Sequence, residues 1–78
     1  MKEILILGPG CYRCNRLYVM VSAVVKELGL ECDIVKITDI STIADYGVMQ
    51  TPALIIDGEL KSTGRLLSHS EIRTMLNE

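Results

Sequence analysis

Ile4-Leu5-Ile6-Leu7-Gly8-Pro9-Gly10-Cys11-Tyr12-Arg13-Cys14 is the stretch that decides the fold of this chain. Its first four residues form a continuous apolar run, the pattern of a strand buried on both faces and therefore central in its sheet. Gly8-Pro9-Gly10 breaks the run as a tight strand-to-helix turn. It lacks the Gly-Lys-Ser/Thr ending of a phosphate loop, so nucleotide binding does not follow from it. Beyond the turn, Leu17, Met20, Val21, Val24, Val25 and Leu28 recur at helical spacing. They mark the core-facing stripe of a helix over about 12–28, which Gly29 ends. Many residues of this helix are β-branched, so packing rather than intrinsic propensity must hold it. Cys11 thus falls at a helix N-terminus, where unpaired backbone N–H groups and the helix dipole favour negative charge. A thiolate is both the nucleophile of disulfide exchange and a soft-metal ligand.

Working outward, Glu31 to Ile37 alternates, with Asp33, Val35 and Ile37 on one face and Cys32, Ile34 and Lys36 on the other. Its charges place this strand near an edge. Thr38-Asp39 offers an N-cap for a short helix, about Ile40 to Tyr46, closed by Gly47. Val48 to Pro52 is a loop, since Pro52 biases Thr51 toward an extended conformation. Ala53 to Asp57 and Glu59 to Thr63 read as strands joined by the hairpin signal Asp57-Gly58. Ser68-His69-Ser70-Glu71 fits a capping box, and Ile72, Met75 and Leu76 supply the apolar face of a last helix. The order is β-α-β-α-β-β-α. A right-handed crossover makes the first two strands parallel, and the hairpin completes a four-stranded mixed sheet with three helices, an α/β fold forming one domain over 1–78.

The composition sets limits on function. Seventy-eight residues are close to the lower bound for a core without staples, but 49% of them are hydrophobic, with no Trp or Phe, so aliphatic side chains must fill it. A net charge of −2 argues against binding a phosphate backbone. No secretory leader pattern is visible, and no apolar run approaches the ~18 residues of a membrane span. Three cysteines, an odd number, fit a secreted disulfide framework poorly. The expected setting is the cytoplasm, with neither nucleic acid nor membrane as partner.

Together, Cys11-Tyr12-Arg13-Cys14 after the first strand, Thr51-Pro52 before the third, and the β-β-α ending resemble the thioredoxin-like fold reduced to a minimal core of glutaredoxin-like size. More narrowly, Tyr46-Gly47-Val48-Met49-Gln50-Thr51-Pro52-Ala53-Leu54 with Asp57-Gly58 resembles the small archaeal and bacterial thioredoxin-like proteins called redox-active disulfide proteins. The resemblance spans essentially the whole chain. It implies a cis Thr51–Pro52 bond lying against the cysteines, with the Thr51 backbone open to an extended substrate segment. It also implies that Cys11 is the exposed attacking thiol and Cys14 the more buried resolving thiol. The chain departs from the family in its Tyr12-Arg13 dipeptide, in having no Trp before Cys11, and in having no Asp in the first strand. Arg65 follows Gly64 where glutaredoxins carry a second Gly and an Asp for glutathione, so glutathione use is not implied.

The expected activity is thiol–disulfide exchange between Cys11 and Cys14, with Gly10, Tyr12 and Arg13 supporting the site and Thr51, Pro52 and Met49 meeting the substrate. An unperturbed thiol is only ~3% ionised at pH 7, and a pKa near 7 would raise that to roughly half. Arg13 either favours the thiolate or points into solvent. Tyr12 is either a partner contact or an exposed helix-start residue, and Met49 either lines the docking surface or fills the core. Cys32 reads as a small buried hydrophobe, and His69 as a solvated residue of the last helix's first turn. No cofactor or resident metal is expected. The partners would be a disulfide-containing client protein or small disulfide and an upstream reductase of thioredoxin-reductase or other type, with the protein acting as a monomer. The rival reading is a Cu(I), Zn or Hg carrier using the same two cysteines. Such carriers end in a strand, whereas this chain ends in a capped helix.

Overall fold

A computed structural model of the chain describes residues 2–10 and 12–77. The elements are β1 (Lys2–Leu7), α1 (Tyr12–Leu28), β2 (Cys32–Ile37), α2 (Ile40–Asp45), β3 (Ala53–Ile56), β4 (Glu59–Thr63) and α3 (His69–Leu76). They form one four-stranded sheet in the order β2-β1-β3-β4, with β1 parallel to β2 and antiparallel to β3, and β3 antiparallel to β4. The second strand begins one residue later than the sequence pattern suggests, and Asp57 and Tyr46 belong to a turn and a helix cap.

Two aliphatic cores flank the sheet. On one face Ile4, Ile6, Leu54 and Ile56 meet Leu17, Val21 and Val24 of α1 and Ile72 and Leu76 of α3. On the other, Leu5, Leu7, Ala53 and Ile55 meet Ile43 of α2 and Val48. The alternation along β1 and β3 thus serves both faces, which is why neither strand reads as amphipathic. The edge position of β2 explains its charges: Val35 and Lys36 are exposed there, while Cys32 and Ile34 are half-buried against the α1–α3 core. Cys32 is therefore less buried than expected.

Local chemistry terminates each helix. Gly29, at φ +65, ends α1 in a Schellman arrangement, with Leu30 N donating to Val25 O at 3.1 Å and Gly29 N to Lys26 O at 3.2 Å. Asp39 caps α2 by accepting from Thr42 N and Thr42 Oγ1. The capping box of α3 is complete, with Glu71 N donating to Ser68 Oγ and Ser68 N to Glu71 Oε1, both at 3.1 Å. Asp57 and Gly58, both at positive φ, make the two-residue turn of the hairpin. A bulge shifts the β3–β4 register at Lys61, where Leu54 faces Ser62 while Ile55 faces Leu60.

The caps and one interhelical contact carry a pH dependence. The Ser68 backbone N–H and then the Arg65 guanidinium hold the Glu71 carboxyl below its ordinary value. Hydrogen bonds from Thr42 do the same for Asp39. His69 of α3, hydrogen-bonded to Glu27 of α1, does it for Glu27. A carboxyl whose pKa falls on folding stabilises the native state above its unfolded pKa and loses that contribution as pH drops through the folded value. Thermal stability is therefore expected to decline below about pH 4.5 as these carboxyls take up protons. Glu71→Gln should make that decline shallower in melting curves followed by circular dichroism, and an unchanged acid limb would contradict the assignment.

Candidate dithiol site

The end of β1 and the start of α1 converge on one side of the sheet. Cys11 lies outside the described residues, so the geometry is built from its neighbours. Cys14, in the first turn of α1, is 1% exposed. Its side chain lies directly against Gly8, the buried residue that follows β1. A Cβ placed on Gly8 would overlap Cys14 Sγ and stand 2.9 Å from Cys14 Cβ, with Thr51 Cβ 3.8 Å away on the same side. The missing side chain of Gly8 is thus the space that the thiol fills. Its amide continues the parallel pairing by donating to Ile37 O at 2.9 Å.

Thr51 and Pro52 arrive from the loop before β3. Their peptide bond is cis, Pro52 is fully buried, and Thr51 is half-buried. The Pro52 carbonyl accepts from Gly64 N at 2.9 Å, tying this loop to the turn after β4. Arg13 completes the link: its Nη2 donates to the Gly64 carbonyl at 3.0 Å, so the guanidinium does not simply point into solvent. Gly64 itself sits at φ +69 with the Gln50 side chain packed where a Cβ would go.

The outer members of the site face solvent. Tyr12 is exposed, and its hydroxyl accepts from Arg16 Nη1 at 3.0 Å. Met49 is 95% exposed, which rules out core filling. It borders a groove of about 250 Å³ lined by Pro9, Ile40, Ile43, Ala44, Val48, Met49 and Thr51. Gly10, at φ +92, has open space around it, and its carbonyl accepts a long 3.5 Å hydrogen bond from Asn15 Nδ2. Asn15 Oδ1 in turn accepts from Lys36 Nζ at 2.9 Å, and that ammonium lies 5.1 Å from the Tyr18 ring centroid. The first turn of α1 carries no acidic residue.

The structure therefore gathers Cys14, Gly8, Thr51, Pro52 and Arg13, and leaves His69 at the opposite end of α1 with Glu27 and Arg73. Gly8, Gln50 and Gly64 are the members that sequence reasoning passed over. The only signal for Gly8 was a glycine immediately after a buried strand and three residues before Cys11. Among the described residues, no group of three His, Cys, Asp or Glu side chains is placed to hold a metal ion, and no helix is long and apolar enough to cross a membrane.

Residues 2–77 match the family model of the thioredoxin domain. A thioredoxin of Methanothermobacter thermautotrophicus is 39% identical over 77 residues, covering 99% of this chain and 100% of the relative. A thioredoxin of Methanocaldococcus jannaschii is 40% identical over 76 residues, covering 97% of this chain and 87% of the relative.

Proposed function

This chain belongs to the thioredoxin-domain family, and from that premise we propose that it is a thiol–disulfide carrier cycling a Cys11–Cys14 dithiol. The observation that carries the reading is the seat of Cys14, a buried thiol held against Gly8 with Thr51 alongside. Cys11 directly precedes α1, whose dipole and unpaired amides favour its thiolate. That thiolate attacks one sulfur of a client disulfide, forming a mixed disulfide and releasing the other client sulfur as thiolate. Cys14 then attacks the Cys11 sulfur, closing Cys11–Cys14 and releasing the second client thiol. Two electrons pass to the client, and an upstream reductase of thioredoxin-reductase or other type returns two to the carrier.

The surroundings of Cys14 bear on its deprotonation. Among the described residues no charged residue is buried. In this reading the proton of Cys14 passes to the departing client thiolate rather than to an interior carboxylate. Half-buried Thr51 offers the edge that a client segment meets, whereas Pro52, expected to meet the client as well, is buried behind it; the groove bordered by Met49 takes an apolar client side chain. The odd number of cysteines suits a reducing, cytoplasmic setting. The test is single turnover. Mixed with excess protein disulfide, the reduced carrier should remove one client disulfide per molecule while Cys11 and Cys14 together become resistant to alkylation. A carrier that keeps both thiols after such exposure would refute the proposal.

A further inference from the structure

We propose that Arg13 is a positioning residue for the client-docking edge, holding the Gly64 turn and, through it, the Pro52 loop against the dithiol helix. The proposal rests on the dithiol reading above and assigns Arg13 a role other than that of a charge acting on Cys11. Three segments far apart in sequence are joined by two hydrogen bonds. Arg13 Nη2 donates to Gly64 O at 3.0 Å across 51 residues, and Gly64 N donates to Pro52 O at 2.9 Å. Gly64 is thereby bonded on one side to the helix that carries Cys14 and on the other to the loop that carries Thr51.

The surrounding structure makes this link consequential. Gly64 follows β4, an edge strand whose pairing is already interrupted by the bulge at Lys61. The packing of Gln50 against Gly64 couples the turn to the same loop that Arg13 reaches through Pro52. A guanidinium–carbonyl bond is charge-assisted, and therefore stronger than a neutral one, although its exposure here limits its worth. A client segment must be received beside Thr51, and a docking edge already ordered there binds it without a further ordering cost. Small disulfides need only reach the thiol and gain nothing from the clamp.

This contrast supplies the test. Arg13→Met retains most of the side-chain length and removes donors and charge, with Arg13→Gln as the second variant should Met not fold. The assays are reduction of an extended peptide disulfide, reduction of the small dithiodiethanol, and ultraviolet titration of the thiolate. A lost hydrogen bond of this class should raise KM for the peptide roughly fivefold, with kcat held within about twofold. Dithiodiethanol reduction and the thiolate titration should shift far less than the peptide KM. Arg13→Lys, which keeps the charge and a donor on a different head group, should fall between Met and the unsubstituted protein with the peptide. An unchanged peptide KM would overturn the proposal. So would an equal loss with both substrates accompanied by a raised thiolate pKa, since that assigns Arg13 to charge alone. If the unsubstituted protein reduces neither substrate, the dithiol reading itself falls, a result distinguishable from failure of the clamp.

Discussion

Cys11→Ser is expected to abolish disulfide exchange, and Cys14→Ser to stop the cycle one step later, accumulating mixed disulfides with the client. The two outcomes differ because the proposed roles differ. Without Cys11 no thiolate stands at the start of α1, and Cys14 is too buried, at 1% exposure, to meet an external disulfide. Without Cys14 the first exchange still proceeds, but no second thiol of the pair remains to displace the client. Non-reducing gels followed by mass spectrometry read both results. Turnover should fall to background in each variant, with the covalent adduct confined to Cys14→Ser. An adduct on Cys14 in the Cys11→Ser protein would reverse the assignment.

Gly8→Ala is expected to damage both stability and chemistry, although alanine is the smallest possible addition. The new Cβ would occupy the place of Cys14 Sγ and lie 2.9 Å from its Cβ. Neither the end of β1 nor the first turn of α1 can move away freely, because Leu7 and Leu17 are buried in opposite cores. Overpacking of this kind costs about 1–3 kcal/mol. In a domain of this size that lowers the melting midpoint by about 4–8 °C for each kcal/mol. Resolution of the mixed disulfide should slow as well, since the thiol is pushed from its seat. Adding Cys14→Ala should recover part of the lost stability by removing the overlapping sulfur, which a double-mutant cycle would register as coupling. Strict additivity of the two substitutions would contradict the close packing of Gly8 and Cys14.

The contrast between what the sequence disclosed and what it concealed follows the range of the interactions. The stop at Gly29, the capping box of Ser68 and Glu71, and the Asp57-Gly58 turn are decided within a few residues, so composition and spacing reveal them. The central place of β1 was legible too, because a strand covered on both faces must be apolar throughout. The bulge at Lys61 was not, since nothing local distinguishes that lysine from its neighbours in β4. The same holds for the tie between His69 and Glu27, 42 residues apart, which gives a residue expected to be merely solvated a partner on α1. In the site, the cysteine spacing and Thr51-Pro52 announce themselves. The part of Gly8 depends on where Cys14 packs, and the contact of Arg13 depends on where the turn after β4 arrives. Both are products of the assembled sheet, invisible to a reading made along the chain.

The central claim is that Cys11 and Cys14 form one reversible two-electron couple. Its most direct test is to equilibrate the purified, metal-free protein in a series of thiol–disulfide buffers, trap it with an alkylating agent and weigh the adducts. The account predicts that Cys11 and Cys14 switch together at a single midpoint between about −270 and −120 mV, the range spanned by comparable dithiols, while Cys32 takes the label throughout. If no intramolecular disulfide forms between Cys11 and Cys14 anywhere in that range, the account is wrong.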